Sequence, residues 1–209
     1  MLTIISPIFQ EYAKHILKSE GKTTNNPKDT TAAKMVPAGA IHTNRGVTWY
    51  VYRDNAKKLG LNPSYESFVK MGDTDAIKFV YLYYTQNAAG LPPLSSIAVT
   101  ESAWASGGQR SKLNLIAALK RFGANVANYN SAVIASKTID DKKLALEIVN
   151  QQQQFYKTLA TGNPEKYGSF LKGWTNRSNR LLKIVQDAKA GTPFIIIGLF
   201  IAAYFYFRK

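Results

Sequence analysis

Glu20, Asp29 and Thr43 stand in a loop-rich stretch between two helical patterns, and the two carboxylates among them are set up for different chemistry. Glu20 follows an amphipathic run (Ile8, Phe9, Tyr12, Ile16, Leu17) and precedes Gly21. That places its carboxyl at the C-terminal lip of a helix whose apolar stripe faces a core. Asp29 lies in the polar run Thr23 to Thr31, which has nothing apolar to bury. Two carboxylates in such unlike settings suit cleavage of a glycosidic bond, where one group stays protonated as the acid and the other stays ionised. Asn26-Pro27-Lys28-Asp29 is also good turn chemistry, so a structural role for Asp29 stays open.

The elements that must position these residues read as mainly helical. Periodicity predicts helices over residues 4–19, 48–59, 64–70, 74–88, 95–105, 109–122 and 141–160. A last helix over 164–189 opens on Asn163-Pro164-Glu165, with Asn as cap and Pro at the first position. Asn125 to Asp140 reads as a polar loop. Between Glu20 and Gly46 neither a helical nor a strand period is sustained, and so long a connection inside a compact domain is usually functional. A small hairpin is expected near Lys34–Ala40, with Pro37 and Gly39 as breakers.

Composition narrows the partners. The chain has 209 residues, 45% of them hydrophobic, which is enough for one core. Its 27 Lys and Arg against 13 Asp and Glu give a formal charge of +14, dispersed along the sequence. Such a surface suits a polyanion, whether nucleic acid, anionic lipid or an acidic envelope polymer, or serves solubility alone. With no helix-turn-helix, zinc-finger or RNA-binding signature, nucleic acid is not expected. There is no cysteine, and His15 and His42 are too few for a histidine metal site, so no metal or cofactor is expected.

Three ordered blocks resemble the family 108 glycoside hydrolases, lysozyme-like peptidoglycan muramidases of phages and bacteria. The first is Ile16-Leu17-Lys18-Ser19-Glu20-Gly21, then Asn26-Pro27-Lys28-Asp29, then His42-Thr43-Asn44-Arg45-Gly46-Val47-Thr48-Trp49. The second is Thr100 to Gln109, similar to a central Trp-x-Ser-Gly turn. The third runs from Phe155-Tyr156 through Asn163-Pro164 to Arg177. The resemblance implies a lysozyme-like α+β fold, mainly α, with a small irregular β segment near residues 21–47. It implies Glu20 as general acid, Asp29 holding a water or stabilising positive charge, and Thr43 orienting that water. It implies sugar contacts from His42, Glu101, Trp104, Ser106 and Gly107. Lys22 replaces the family's second glycine, and about eight extra residues separate Asp29 from Thr43. A lytic transglycosylase and a non-catalytic peptidoglycan-binding virion or membrane protein therefore stand as alternatives.

The expected domains are a catalytic one over 1–125, a helical part over 126–190 resembling a peptidoglycan-binding segment, and a transmembrane anchor over 191–209. The start of the chain lacks a basic n-region and is interrupted by Pro7, unlike a secretory signal. Phe194 to Phe207 carries no charge, Tyr204 and Tyr206 suit an interfacial belt, and Arg208-Lys209 can snorkel. A C-terminal transmembrane helix is the resulting expectation, holding the enzyme on a virion or host inner membrane with its catalytic domain facing peptidoglycan. Peptidoglycan and lipid are the expected partners.

Overall fold

A computed structural model describes residues 7–27 and 29–188. In chain order the elements are α1 (Pro7–Ser19), β1 (Thr23–Thr24), α2 (Thr30–Ala33), β2 (Thr43–Asn44), β3 (Val47–Thr48), α3 (Trp49–Asn55), a 3-10 turn (Lys57–Leu59), α4 (Tyr65–Val69), α5 (Asp73–Asn87), α6 (Pro93–Ser106), α7 (Gly108–Arg121), α8 (Tyr129–Ser136), α9 (Asp141–Gly162) and α10 (Pro164–Asp187). They form two compact units. One is Ala13–Leu82; the other joins the chain up to Tyr12 with the chain from Tyr83 onward.

The Ala13–Leu82 unit carries the sheet, an antiparallel ribbon in the order β1-β2-β3. Thr24 pairs with Thr43, and Asn44 with Val47. Its core is aromatic: Tyr52, Phe68 and Phe79 are buried. Tyr52 stacks on Phe79 at 5.6 Å, and Trp49 meets Tyr65 edge-on at 5.3 Å. Such pairs contribute beyond the area they bury.

In the helical unit α6 is the central helix, with every residue from Ser95 to Ala103 buried. It is buried all round because α7 and α9 pack against it, and its buried polar side chains are bonded locally, Thr100 Oγ1 donating to the Ser96 carbonyl at 2.7 Å. The N-terminus of α6 is capped from a distance, since the Asp141 carboxylate accepts the N–H groups of Leu94 and Ser95, both at 2.8 Å. α10 is amphipathic and packs along α9, burying Ser178, Leu181 and Val185.

Several expectations change. Residues 129–136 form α8 where a loop was expected, because Asn128 and Ser131 make a reciprocal capping box. The polar residues taken for loop formers are the cap itself. The hairpin expected at Lys34–Ala40 is a series of turns, and the hairpin lies instead at Thr43–Thr48.

Among the described residues no helix is long and apolar enough to cross a membrane, which corrects both the expected transmembrane helix and the membrane-anchored localisation. α10 ends at Asp187, with Ala188 extended (φ −61°, ψ 125°). Lys142 Nζ covers that end by donating to the Ala188 carbonyl at 3.2 Å. Residues 191–209, on which that expectation fell, lie outside the described residues.

Candidate active site

The Ala13–Leu82 unit holds Glu20, Asp29, His42 and Thr43 together. Glu20 directly follows α1, and its N–H donates to the Ile16 carbonyl at 3.0 Å, the last backbone bond of that helix. Ala13, Ile16 and Leu17 are buried, so the helix end is fixed by its apolar face while the Glu20 side chain is half-buried. Its carboxyl lies against Gly46. A Cβ built on Gly46 would come within 2.8 Å of Glu20 Cδ and 2.9 Å of Oε2.

Gly46 belongs to the two-residue turn between β2 and β3, with Arg45 at φ 49° and Gly46 at φ 77°. Positive φ at both central residues is the turn whose twist matches a tight hairpin. Arginine rarely adopts that conformation, and here its side chain holds it there. Arg45 pairs with Asp73, and its Nη1 donates to the Met71 carbonyl at 2.6 Å. Asn44 is fully buried, and its Nδ2 donates to the carbonyls of Phe68 (2.8 Å) and Val69 (3.1 Å) at the end of α4. The hairpin beneath Glu20 is thus pinned at Asn44 and Arg45, where β2 enters the turn.

Asp29 caps α2. Its Oδ1 accepts from the Ala32 N–H at 3.4 Å, and its own N–H donates to the Asn26 carbonyl at 3.1 Å. Thr43 is half-buried in β2, and its Oγ1 lies 2.9 Å from His42 Nδ1. His42 is 1% exposed, with Nε2 3.0 Å from the Asn26 carbonyl. A cavity of about 300 Å³ lies beside it, lined by Asn25, Pro27 and the Lys34–Ala40 turns.

Glu101, Trp104, Ser106 and Gly107 fall in the helical unit. Glu101 is 3% exposed, and its carboxylate accepts from the Tyr12 hydroxyl and pairs with Arg177. Trp104 is half-buried, its ring 5.2 Å from that of Tyr83. Ser106 Oγ donates to the Tyr156 hydroxyl at 3.3 Å. Gly107 turns the chain from α6 to α7 at φ 84°, with open space where a side chain would go. The next glycine has the tighter fit, because the Asn87 amide oxygen occupies the place of a Gly108 Cβ.

Sequence reasoning passed over Asn26, Asn44 and Gly46 as site-building residues. The Thr-Asn-Arg-Gly run carried a usable signal for two of them, an asparagine and a glycine flanking a tight turn.

No protein-family model matches the chain, and no curated protein matches it. Among solved structures, that of Brucella abortus SagA is similar, with a TM-score of 0.61 and 22% identity over 85% of this chain and 93% of that one. The similarity is one of fold.

Proposed function

We propose that this chain is a peptidoglycan-cleaving muramidase that hydrolyses the β-1,4 bond between N-acetylmuramic acid and N-acetylglucosamine. One observation carries the reading: the half-buried Glu20 carboxyl seated on Gly46, in the same unit as Asp29 and Thr43. Glu20 gives its proton to the glycosidic oxygen as the bond to the anomeric carbon breaks. A water held by Asp29 and Thr43 bonds to that carbon and leaves its proton on Asp29. The formal charge of +14 suits an anionic wall polymer. Purified peptidoglycan incubated with wild type and with Glu20→Gln tests this directly. New reducing ends are expected from wild type, and a rate lower by about 10²–10⁴-fold from the variant. A folded Glu20→Gln protein with wild-type turnover would end the proposal.

A second reading has one observation in its favour. Asp29 Oδ1 is occupied in capping α2, as a purely structural aspartate would be. A lytic transglycosylase needs the glutamate alone and releases 1,6-anhydro ends, so product analysis separates the two.

A further inference from the structure

We propose that His42 is a positioning residue: its buried imidazole makes the Thr43 hydroxyl an obligate hydrogen-bond acceptor and locks it in register with Asp29. The inference rests on the muramidase reading above.

The argument begins with the tautomer. His42 Nε2 faces the Asn26 carbonyl at 3.0 Å, and a carbonyl can only accept, so Nε2 carries the proton. In the neutral ring Nδ1 is then bare, and the contact at 2.9 Å must be donated by the Thr43 hydroxyl. The single proton of Thr43 is committed to histidine. Toward any further partner its oxygen can only accept.

That constraint matters for a nucleophilic water. A water donating one proton to Asp29 and the other to Thr43 has a lone pair left for the anomeric carbon. A threonine free to donate could turn that lone pair toward itself. His42 removes this second arrangement, and orienting a reactant in this way acts on turnover more than on affinity.

The same ring also links the Thr43 hydroxyl to the backbone at Asp29. The Asn26 carbonyl accepts both His42 Nε2–H and the Asp29 backbone N–H, the latter at 3.1 Å. The backbone of His42 is itself fixed, its N–H on the Thr24 carbonyl at 3.1 Å and its carbonyl on the Trp49 N–H at 2.8 Å. At 1% exposure the ring acts through Thr43 and Asn26 instead of touching a sugar.

Two isosteres divide the ring's functions. Gln in place of His42 can still donate toward Asn26 but offers Thr43 no acceptor; Asn offers the acceptor near the Nδ1 position and does not reach Asn26. His42→Gln is expected to lower kcat about ten-fold with KM within about two-fold, and His42→Asn to recover part of that loss. In a Thr43→Val background His42→Gln should cost little more, because its effect passes through the hydroxyl. Imidazole ¹⁵N spectra of the wild-type protein should show protonated Nε2 and bare Nδ1, a readout independent of activity and of whether either variant folds. A protonated Nδ1, an unchanged kcat in folded His42→Gln, or fully additive effects with Thr43→Val would overturn the role of His42. No peptidoglycan cleavage by the wild type would instead sink the muramidase reading itself.

Discussion

The Glu20 carboxyl occupies the space that a side chain at Gly46 would need, with Cδ 2.8 Å from the position of the missing Cβ. Helix end and hairpin turn are thereby fitted to each other at the proposed acid. Gly46→Ala is expected to displace the carboxyl and to strain a backbone at φ 77°, which costs about 1–2 kcal/mol before the clash is counted. Gly39→Ala is the matched control, since Gly39 has φ 78° but open space around its Cβ. Both variants should lose thermal stability; only Gly46→Ala should lose wall-cleaving activity by more than ten-fold. Equal activity in the two variants would detach Gly46 from the site.

Asp29→Asn separates charge from capping. Asparagine caps a helix about as well as aspartate, so the fold should stay within about 0.5 kcal/mol of wild type. Hydrolysis should fall much further than peptidoglycan binding, because the amide cannot take a proton from water. Binding and turnover lost in equal measure would assign Asp29 to the α2 cap alone. Retained cleavage with anhydro ends would favour the transglycosylase.

How far the sequence alone reached differs between the two halves of the site. The place of Glu20 at a helix end was legible because such an end is a local event, marked by the apolar spacing up to Leu17 and by Gly21. So was the start of α10, where Asn163 Oδ1 accepts from the Lys166 N–H at 3.0 Å. The hairpin was not. Pro37 and Gly39 are the stronger local turn signals, whereas Arg45 is held at positive φ by Asp73 and Met71, partners 28 and 26 residues away. Glu101 has the same character. Alone it reads as a surface carboxylate, and its burial rests on partners far along the chain, Arg177 76 residues on and Tyr12 89 residues back.

Tyr129 should make the helical unit sensitive to alkali. Its hydroxyl donates to the Asn87 carbonyl at 2.6 Å, and burial, assisted by nearby Tyr84, pushes its pKa up to about 12. An unfolded tyrosine titrates near 10. Below that pH both states are protonated and the contribution of Tyr129 is fully present; it is lost as pH rises from about 10 toward 12. Thermal unfolding followed across that range should fall more steeply for wild type than for Tyr129→Phe, although the variant starts lower at neutral pH for want of one hydrogen bond. Parallel curves would show that Tyr129 is not protected in the fold.

The Glu101–Arg177 pair should carry stability and not catalysis. Glu101 sits inside the helical unit with a side chain 4% exposed, joined by Arg177 from α10 and by the Tyr12 hydroxyl from α1. Removing one member of a buried pair leaves the other charge in a poorly solvating interior, at a cost of about 3–5 kcal/mol. Arg177→Met is therefore expected to lower the denaturation midpoint sharply. Tyr12→Phe, which removes one hydrogen bond to a buried carboxylate, should cost about 1.5–3 kcal/mol. Replacing both charges, Glu101→Gln with Arg177→Met, should restore much of the stability, since no uncompensated charge then remains buried. Below its unfolding temperature the double variant should still cleave peptidoglycan, because neither residue belongs to the Glu20 unit. Loss of cleavage in a folded double variant would place Glu101 in substrate binding, the role the resemblance implied for it, and would end the purely structural assignment.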